Sequence, residues 1–229
     1  MDTGRRLVQV TMVICFAASW VGFAVAGEHA VNITPSLEKV EVMHQGNPVV
    51  IERVQQQNHL IGSPYNTTSR PCPPFCVQPM TIAPGVETIG ELELLGYLKR
   101  ISTGDRSILV VDSGIPDWAS KGTIRGSINI PWNTIDVDFA EGFKNAAASE
   151  EIDNIFEARF GAKPTKQGWD FSEAKTLVLF CNGAWCPQSP INIETLLMQG
   201  YPPAKLKWYR GGMQSWVMFG LTIVRPTGG

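Results

Sequence analysis

The sequence predicts an α/β protein, in which a parallel sheet is flanked by helices and preceded by a small extension of short strands and loops. Three observations predict this class. From residue 84 onward, short apolar runs alternate with segments of helical periodicity. The apolar runs are continuous, which is typical of strands buried on both faces of a parallel sheet. Residues 27–83 differ, since a hairpin signal is followed there by a proline-rich stretch.

The overall composition is that of a globular protein and shows no electrostatic signature of a partner. Of the 229 residues, 44% are hydrophobic, and 19 basic residues against 21 acidic residues give a formal charge of −2. Nucleic-acid binding requires a basic patch or stripe, and the sequence contains no extended basic run. We therefore expect no nucleic-acid partner.

Residues 1–26 have the pattern of a secretory signal peptide. The short cationic head "MDTGRR" precedes a long apolar run, which closes with the small-x-small sequence of Ala24, Val25 and Ala26. We expect cleavage before Gly27 and a periplasmic or secreted mature protein that is free of the membrane. The apolar run is also about long enough to span a bilayer, so a retained N-terminal anchor is the alternative.

Residues 27–83 are expected to form an N-terminal extension. The stretch "KVEVMHQGNPVVIERV" predicts two short strands around a turn at Gly46-Asn47-Pro48. The stretch "GSPYNTTSRPCPPFCVQPM" is rich in proline and has little periodicity, which predicts a loop or an extended chain.

The first part of residues 84–229 predicts a helix, a strand and a turn. Thr88 and Glu91 have the spacing of a capping box at the start of "TIGELELLGYLKR", which predicts a helix. "SILVVDS" is a short apolar run that ends on Asp112 and predicts a buried strand. "GTIRGSINIPW" predicts a turn followed by a brief strand.

The remaining elements continue this alternation. "ASEEIDNIFEARFGA" predicts a helix that begins at Ser149 and ends at Gly161, and "KTLVLFC" predicts a second buried strand that ends at Cys181. "SPINIETLLMQGY" predicts a helix with Ser189 as its N-cap and Pro190 at its first position. "KLKWYRGGMQSWVMFG" predicts a last strand, a Gly-Gly turn and a final helix. Reactive groups in such sheets lie at the carboxyl ends of the strands, so a site is expected around Cys181.

Three segments, in this order, resemble the rhodanese (sulfurtransferase) superfamily over residues 84–226. "ILVVDSGIPDWASKGTIRGSINIPW" is similar to the family's strand, Asp and "G-H-I-x-G-A-x-N-I-P" block. "LVLFC" is similar to the strand that delivers the family's catalytic cysteine, and "YRGGMQSWVMFGL" to its closing glycine–tryptophan segment. The matching residues are Gly122, Ile124, Gly126, Ile128, Asn129, Ile130, Pro131, Cys181, Gly211, Gly212, Trp216 and Gly220.

The resemblance implies a sulfurtransferase in which Cys181 carries sulfur as a persulfide. Its partners would be a small sulfur donor and a thiol acceptor, which is either a small molecule or a protein. The loop departs from the family's Cys-x-x-Gly-x-Arg-Ser pattern, because Cys181 to Ser189 contains no Arg or Lys. Arg125 and Arg210 lie nearest to the matched motifs and are candidates for the missing positive charge, the alternative being ordinary surface arginines.

The loop can still activate a thiol through its backbone. Attack on sulfur requires a thiolate, and a free cysteine has a pKa of about 8.5. The amides of the loop, in a nest around the sulfur, would lower this pKa and hold the terminal sulfur anion, with help from the helix N-terminus near Ser189. Neither a metal nor an organic cofactor is needed. The candidate substrate-binding residues are Asn182, Gly183, Ala184, Trp185 and Asp112, the last of which is otherwise a turn or cap residue.

The sequence leaves two roles open for Cys186. It is either a second catalytic thiol, which would resolve a persulfide or mixed disulfide on Cys181, or a small buried residue without a role in the reaction. Two alternatives to sulfur transfer follow. One is a thiol–disulfide redox protein that uses Cys181 and Cys186. The other is an inactive binding module on the same fold.

Cys72 and Cys76 form a candidate disulfide. In an exported protein the four cysteines left after signal cleavage favour two disulfides, with three pairings, over a four-cysteine zinc site. If Pro73 and Pro74 impose a polyproline II conformation, the two Cα atoms would be roughly 12 Å apart, which exceeds the limit of about 7 Å for a disulfide. Cys72 and Cys76 can therefore pair only if the segment turns, and otherwise pair with Cys181 and Cys186. We expect this segment to pack across the mouth of the site.

Overall fold

The computed structural model describes residues 30–135 and 146–225. The predicted signal peptide, residues 1–26, lies outside the described residues. The strands are β1 (Lys39–His44), β2 (Asn47–Glu52), β3 (Glu87–Ile89), β4 (Ile108–Asp112), β5 (Thr123–Ile124), β6 (Ile128–Asn129), β7 (Lys163–Thr165), β8 (Gly168–Asp170), β9 (Thr176–Phe180), β10 (Leu206–Tyr209) and β11 (Ile223–Val224). The helices are α1 (Glu91–Ser102), α2 (Pro116–Lys121), α3 (Trp132–Ile135), α4 (Ala146–Asn154), α5 (Gln188–Met198) and α6 (Gly212–Met218). None of these helices is long and apolar enough to cross a membrane.

A five-stranded parallel sheet in the order β3-β10-β9-β4-β6 forms the centre of the molecule, so the predicted fold class is confirmed. Successive side chains of its strands alternate between two hydrophobic cores, because side chains of a strand point to opposite faces. In β9, Val178 and Phe180 belong to one core, whereas Leu177 and Leu179 belong to the other. This burial on both faces explains why the strand reads as a continuous apolar run.

The two cores are covered by different elements. Leu94, Leu95 and Leu98 of α1 pack in the first core together with residues of the β1–β2 hairpin. Ile193 and Leu196 of α5 pack in the second core. The helices therefore flank the sheet, as the alternation of strands and helices predicts.

The predicted hairpin is present, with a turn one residue earlier than expected. β1 and β2 pair antiparallel, with Val42 opposite Val49. Gln45 and Gly46 form the two-residue turn and both have positive φ angles, of 50° and 81°, as a type I′ hairpin requires. Val42 and Ile51 are buried against the first core. The hairpin is thus part of the same folded unit as the five-stranded sheet.

Two predicted helix starts are wrong. Thr88 does not cap a helix, because it lies in β3 opposite Trp208 of β10, and its hydroxyl donates a hydrogen bond to the Met80 carbonyl. Helix α1 begins after Gly90, whose amide donates to the Glu93 carboxylate at 3.0 Å. Parallel strand pairing therefore overrides the local capping signal.

Ser189 is likewise not an N-cap. Helix α5 begins at Gln188 after Pro187, so Ser189 lies inside the first turn with its side chain fully buried. Its hydroxyl is thereby free to contact the site at the end of β9.

The sequence prediction is also incomplete in the segments around the sheet. "GTIRGSINIPW" forms two short strands, of which β5 pairs antiparallel with β11 and β6 joins the edge of the main sheet. The helix predicted from Ser149 begins at Ala146 and continues as a π-helical turn over Ile155–Arg159 before Gly161. A small hairpin, β7–β8, follows it and was not predicted.

Candidate functional site

Cys181 follows directly after β9, at the carboxyl end of the central strand of the sheet. The neighbouring strand β4 ends beside it, and the Ser113 amide donates a hydrogen bond to the Phe180 carbonyl at 2.8 Å. Cys181 is only 2% exposed. The sequence therefore places Cys181 where parallel sheets bind their ligands, and this structure encloses its sulfur.

The start of helix α6 holds the loop that begins at Cys181. The Met213 amide donates to the Cys181 carbonyl at 2.9 Å, and the Gln214 amide donates to the Asn182 carbonyl at 3.0 Å. Gly212, with a φ angle of +55°, makes this close approach sterically allowed. A Cβ atom at this position would lie 2.6 Å from the Gly183 amide nitrogen and closer still to the Cys181 carbonyl oxygen. The glycine is therefore required by the contact between two backbones.

Hydrogen bonds lower the pKa of Cys181. Burial raises it, but this effect is outweighed by the Cys186 thiol, by the hydroxyl and amide of Ser189, and by the Asn182 amide. The Ser189 hydroxyl lies 3.2 Å from the Cys181 sulfur and accepts a hydrogen bond from the Trp208 indole at 3.1 Å. Donors that point at a sulfur favour its ionised form, so the geometry prepares Cys181 as a thiolate.

Cys186 is the weaker acid of the pair. Its thiol is 1% exposed and lies 3.5 Å from the Gln188 side-chain oxygen. Burial raises its pKa strongly, and its interactions with Cys181 raise it further. Both thiols are free in this structure. Of the two, Cys181 ionises first and Cys186 acts as a donor to it.

The predicted loop residues differ in what they contact. Asn182 directs its amide to the Cys181 sulfur. The Gly183 carbonyl accepts the Cys186 amide at 2.9 Å, and the Ala184 carbonyl accepts the Gln78 amide at 2.8 Å. Trp185 donates its indole N–H to Gln214 at 2.7 Å. Sulfur binding by Gly183, Ala184 and Trp185 stays a prediction.

Asp112 organises the neighbouring turn. Its carboxylate accepts the Gly114 amide at 2.9 Å and the Thr123 hydroxyl at 2.6 Å, and the residue is 3% exposed. Burial raises the pKa of Asp112 to about 6, although these two hydrogen bonds act in the opposite direction. The described hydrogen bonds of this carboxylate go to the turn after β4 and to β5, as expected of a residue that holds loop amides.

The proline-rich part of the extension lies against the loop from Cys181 to Ser189. Phe75 packs edge-on against Trp185 with ring centroids 5.5 Å apart, and the Gln78 amide bonds to the Ala184 carbonyl. The Gln214 side-chain amide donates to the carbonyls of Tyr65 and Thr67, at 3.0 and 3.3 Å. The segment therefore covers the loop, although the cysteine pairing from which this position was predicted is absent.

Cys72 and Cys76 are bonded to each other. Their Cα atoms are 4.7 Å apart, and the peptide bonds before Pro73 and Pro74 are cis. The extended conformation considered for this segment is therefore wrong, since the chain turns between the two cysteines. Pairing of Cys72 and Cys76 with Cys181 and Cys186 is excluded in this structure, as is a four-cysteine zinc site.

Arg125 and Arg210 connect the extension to the rest of the fold. Arg125 donates to the carbonyls of Val50 and Ile223. Arg210 donates to the carbonyls of Pro79 and Gln78, at 3.1 and 2.8 Å. The described hydrogen bonds of both guanidinium groups go to backbone carbonyls outside the loop from Cys181 to Ser189, and a role of either charge at the loop stays a prediction.

Sequence reasoning missed Arg70, which lies beside the loop. Its guanidinium carbon is 4.0 Å from the centre of the Trp185 ring. Arg70 is the one basic residue between residues 63 and 83. A single arginine in a cysteine- and proline-rich segment that is expected to cover the site was a usable signal.

Comparison with known proteins gives several distantly similar solved structures and one family match. No curated protein matches the chain. Similar solved structures include the BH2092 protein from Bacillus halodurans, with 18% identity over 58% of this chain and 72% of that chain and a TM-score of 0.37. The human single-domain sulfurtransferase TSTD1 shows 21% identity over 58% of this chain and 96% of that chain, with a TM-score of 0.32. A Rhodopseudomonas palustris protein of unknown function, RPA3614, considered a possible tyrosine phosphatase, shows 19% identity over 61% of this chain and 85% of that chain, with a TM-score of 0.40.

These identities and TM-scores are too low to indicate an activity. The family model gives a firmer result. The model of the rhodanese-like domain matches residues 95–218, from within α1 to the end of α6, which is more than half of the chain. The chain belongs to the family of rhodanese-like domains.

Proposed function

We propose that this protein is a sulfurtransferase that carries sulfane sulfur as a persulfide on Cys181. The observation that carries the proposal is the lowered pKa of Cys181 at the end of β9 in a rhodanese-like domain. The difference in pKa between the two cysteines supports the proposal, because only Cys181 is prepared as a nucleophile.

The reaction has two displacement steps. The Cys181 thiolate attacks the sulfane sulfur of a donor, the bond between that sulfur and the rest of the donor breaks, and the donor remnant leaves with the electron pair. Cys181 then bears a persulfide anion. A thiolate acceptor attacks the terminal sulfur, which restores the Cys181 thiolate and leaves the acceptor as a persulfide. No net oxidant is required, because each step exchanges one bond to sulfur for another.

Three donors to the Cys181 sulfur support the proposal. They are the Ser189 hydroxyl and the backbone amides of Ser189 and Asn182, and we expect them to stabilise the persulfide as they do the thiolate. Such fixed donors in a buried site need little reorganisation during the reaction.

The test is mass spectrometry of the protein after incubation with a sulfane-sulfur donor. We expect a mass increase of one sulfur atom on the peptide that contains Cys181, and its loss on addition of a thiol acceptor. Cys186→Ser should still acquire the sulfur, whereas Cys181→Ser should not. A protein that acquires no sulfur on Cys181 with any donor would contradict the proposal.

A thiol–disulfide function is the second candidate, and the interaction between the two thiols favours it. Attack of Cys186 on the inner sulfur of a Cys181 persulfide would form a disulfide and release hydrogen sulfide. The raised pKa of Cys186 argues for the carrier instead, because a protonated thiol is a poor nucleophile. A longer-lived persulfide in Cys186→Ser than in the parent protein would identify the resolving role.

We also propose that the protein acts after export, in the periplasm or outside the cell. The signal-like sequence of residues 1–26 and the Cys72–Cys76 disulfide support this location, since disulfides persist in oxidising compartments. N-terminal sequencing of the protein recovered from each cell fraction tests the location and the cleavage before Gly27.

A further inference from the structure

Arg70 of the extension lies between two tryptophans at the candidate site. Its guanidinium carbon is 4.0 Å from the centre of the Trp185 ring and 5.3 Å from that of Trp118. The two indole rings are 6.3 Å apart and tilted by 57°. Trp185 belongs to the catalytic loop, and Trp118 belongs to α2, which follows β4. The cation thus lies where the ends of the two central strands meet.

The charge of Arg70 has no carboxylate partner within residues 30–135 and 146–225. One terminal nitrogen donates to the Pro64 carbonyl at 3.2 Å. The Nε atom is buried and has no hydrogen-bond partner in the described structure. A buried donor without a partner is costly, and for a charged group the cost is larger. The site therefore holds an unsatisfied donor on an uncompensated positive charge.

The electrostatics of Arg70 connect it to the cysteine pair. Burial lowers the pKa of Arg70, and the Cys186 thiol acts on it in the opposite direction. An arginine nonetheless stays charged in proteins. Its positive charge therefore interacts with Cys186, although Arg70 lies outside the loop and outside the matched family segment.

The position of Arg70 is fixed from both sides. Before it, the carbonyls of Tyr65 and Thr67 accept hydrogen bonds from Gln214, which also binds the Trp185 indole. After it, Phe75 packs on Trp185 and Gln78 bonds to Ala184. The arginine is therefore built into the site by contacts that join the extension to the loop.

We infer that Arg70 is the anion-binding residue of this site, and that the sulfur donor it selects carries a negatively charged oxyanion next to the transferable sulfur. This inference rests on the proposed sulfur transfer. The planar fork of a guanidinium group binds such oxyanions through paired N–H groups. The extension thereby restores the cation that the loop from Cys181 to Ser189 lacks, and thiosulfate becomes an expected donor.

Lys121 provides a matched control. Its ammonium nitrogen lies 5.1 Å from the centre of the Trp118 ring, so it neighbours the same group of aromatic rings. It is paired with Asp117 at 2.6 Å and its side chain is 44% exposed. A neutralised and solvated cation should not select an anion.

The first experiment compares the kcat/KM for thiosulfate with the kcat/KM for a neutral organic trisulfide. Attack of Cys181 on the central sulfur of the trisulfide releases one thiolate, and attack of the acceptor thiol on the outer sulfur then removes the second as a disulfide and leaves the Cys181 persulfide. In Arg70→Gln we expect the ratio of these two values to fall about 10- to 100-fold, because a charged hydrogen bond to the anion is lost. Arg70→Lys keeps the positive charge but lacks the planar, paired N–H groups. Its kcat/KM ratio should therefore lie between those of Arg70→Gln and the parent protein. Lys121→Gln should keep the parent ratio. An Arg70→Gln variant that folds and keeps the parent ratio would overturn the inference.

The second experiment separates this inference from the proposed function. Sulfite, an oxyanion without a transferable sulfur, is titrated into Cys181→Ser, and binding is followed by tryptophan fluorescence and calorimetry. We expect saturable binding that is weakened at least tenfold on adding Arg70→Gln, roughly the effect of one charged hydrogen bond, and is unchanged on adding Lys121→Gln. Sulfite binding that depends on Arg70 in a protein that never forms a persulfide would reject the proposed function and support the anion site. Persulfide formation together with sulfite binding that is absent or independent of Arg70 would reject the anion site alone.

Discussion

At the scale of single residues, hydrogen-bond donors distinguish the two thiols of the loop after β9. Cys181 and Cys186 are equally buried, so burial alone would raise both pKa values. The difference comes from donors, because the Cys186 thiol and the hydroxyl and amide of Ser189 act on Cys181, whereas the backbone amide of Asn182 acts on both thiols. Ser189 thus supplies part of the thiolate stabilisation that an arginine in the loop would supply. Its burial inside the first turn of α5 was not predictable, since a serine before a helical run also reads as an N-cap.

Replacing Ser189 by alanine should raise the pKa of Cys181. The loss of one hydrogen bond to the thiolate disfavours the ionised form, so the pKa is expected to shift upward. Ultraviolet absorbance of the thiolate as a function of pH measures this shift, and Cys186 does not interfere because its pKa is raised. Ser215→Ala on α6 is the control, since this hydroxyl makes no described bond to either sulfur. An unchanged titration curve in Ser189→Ala would show that the amides alone set the pKa.

The same variant has a defined effect on stability. A thiol whose folded-state pKa is lowered favours the folded protein above its unfolded-state pKa, and this contribution is lost as the pH falls through the folded-state pKa. Ser189→Ala should therefore lose more stability at alkaline pH than at acidic pH. Denaturant unfolding at the two pH values checks this sign.

At the scale of elements, the site depends on how closely α6 approaches the loop after β9. The backbone of α6 donates two hydrogen bonds to the loop, and no side chain fits between the two backbones at Gly212. The Gly-Gly turn was predicted from the sequence. Its function was not, because the atoms that exclude a Cβ at Gly212 belong to residues about 30 positions earlier in the chain.

Gly212→Ala should displace the loop and impair both folding and sulfur loading. Gly46→Ala is its matched control, because Gly46 also has a positive φ angle, of 81°, but a Cβ added there would meet no atom within 4 Å. Both variants carry the conformational cost of a positive φ, about 1 kcal/mol. Only Gly212→Ala should lower the free energy of unfolding, measured with denaturant, by substantially more than this conformational cost. Equal losses in the two variants would contradict the steric argument.

The predictability of the elements follows from what determines them. The buried strands β4 and β9 were predicted because continuous apolar runs reflect burial on both faces. Thr88 and the Cys72–Cys76 segment were misread because strand pairing and a covalent bond outweigh local preferences. Arg70 was missed because its role depends on Trp185, which is more than 100 residues later in the chain.

At the scale of the whole molecule, the N-terminal extension completes both the core and the site. Val40, Val42 and Ile51 of the hairpin are buried in the first core, and Ile51 is fully enclosed. Gly126 donates its amide to the buried His44 ring at 3.1 Å, which adds a polar contact to the packing. The extension is therefore part of the same cooperative structure as the sheet.

Ile51→Ala should destabilise the entire protein rather than the hairpin alone. Large-to-small changes of this kind in a core cost about 2–5 kcal/mol. We expect a loss in this range in denaturant unfolding, with the sheet and the hairpin unfolding in one transition. Met43→Ala is the control, because Met43 is apolar, lies on the neighbouring strand and is 44% exposed. A separate early transition, followed by unfolding of a sheet with parent stability, would show that the hairpin is dispensable.

The position of Arg70 also affects which stretch of the chain must be kept together to transfer the whole site to another protein. The segment from 95 to 218 defines membership of the family, yet it omits β3, which pairs with β10, and the arginine beside the catalytic loop. If that segment were transplanted into another protein, it would bring both site thiols, an unpaired strand edge and no anion selectivity. The smallest segment that would transfer the proposed activity and its anion preference together is therefore expected to start near residue 31, and substrate choice can diverge through changes in a region outside the matched family segment.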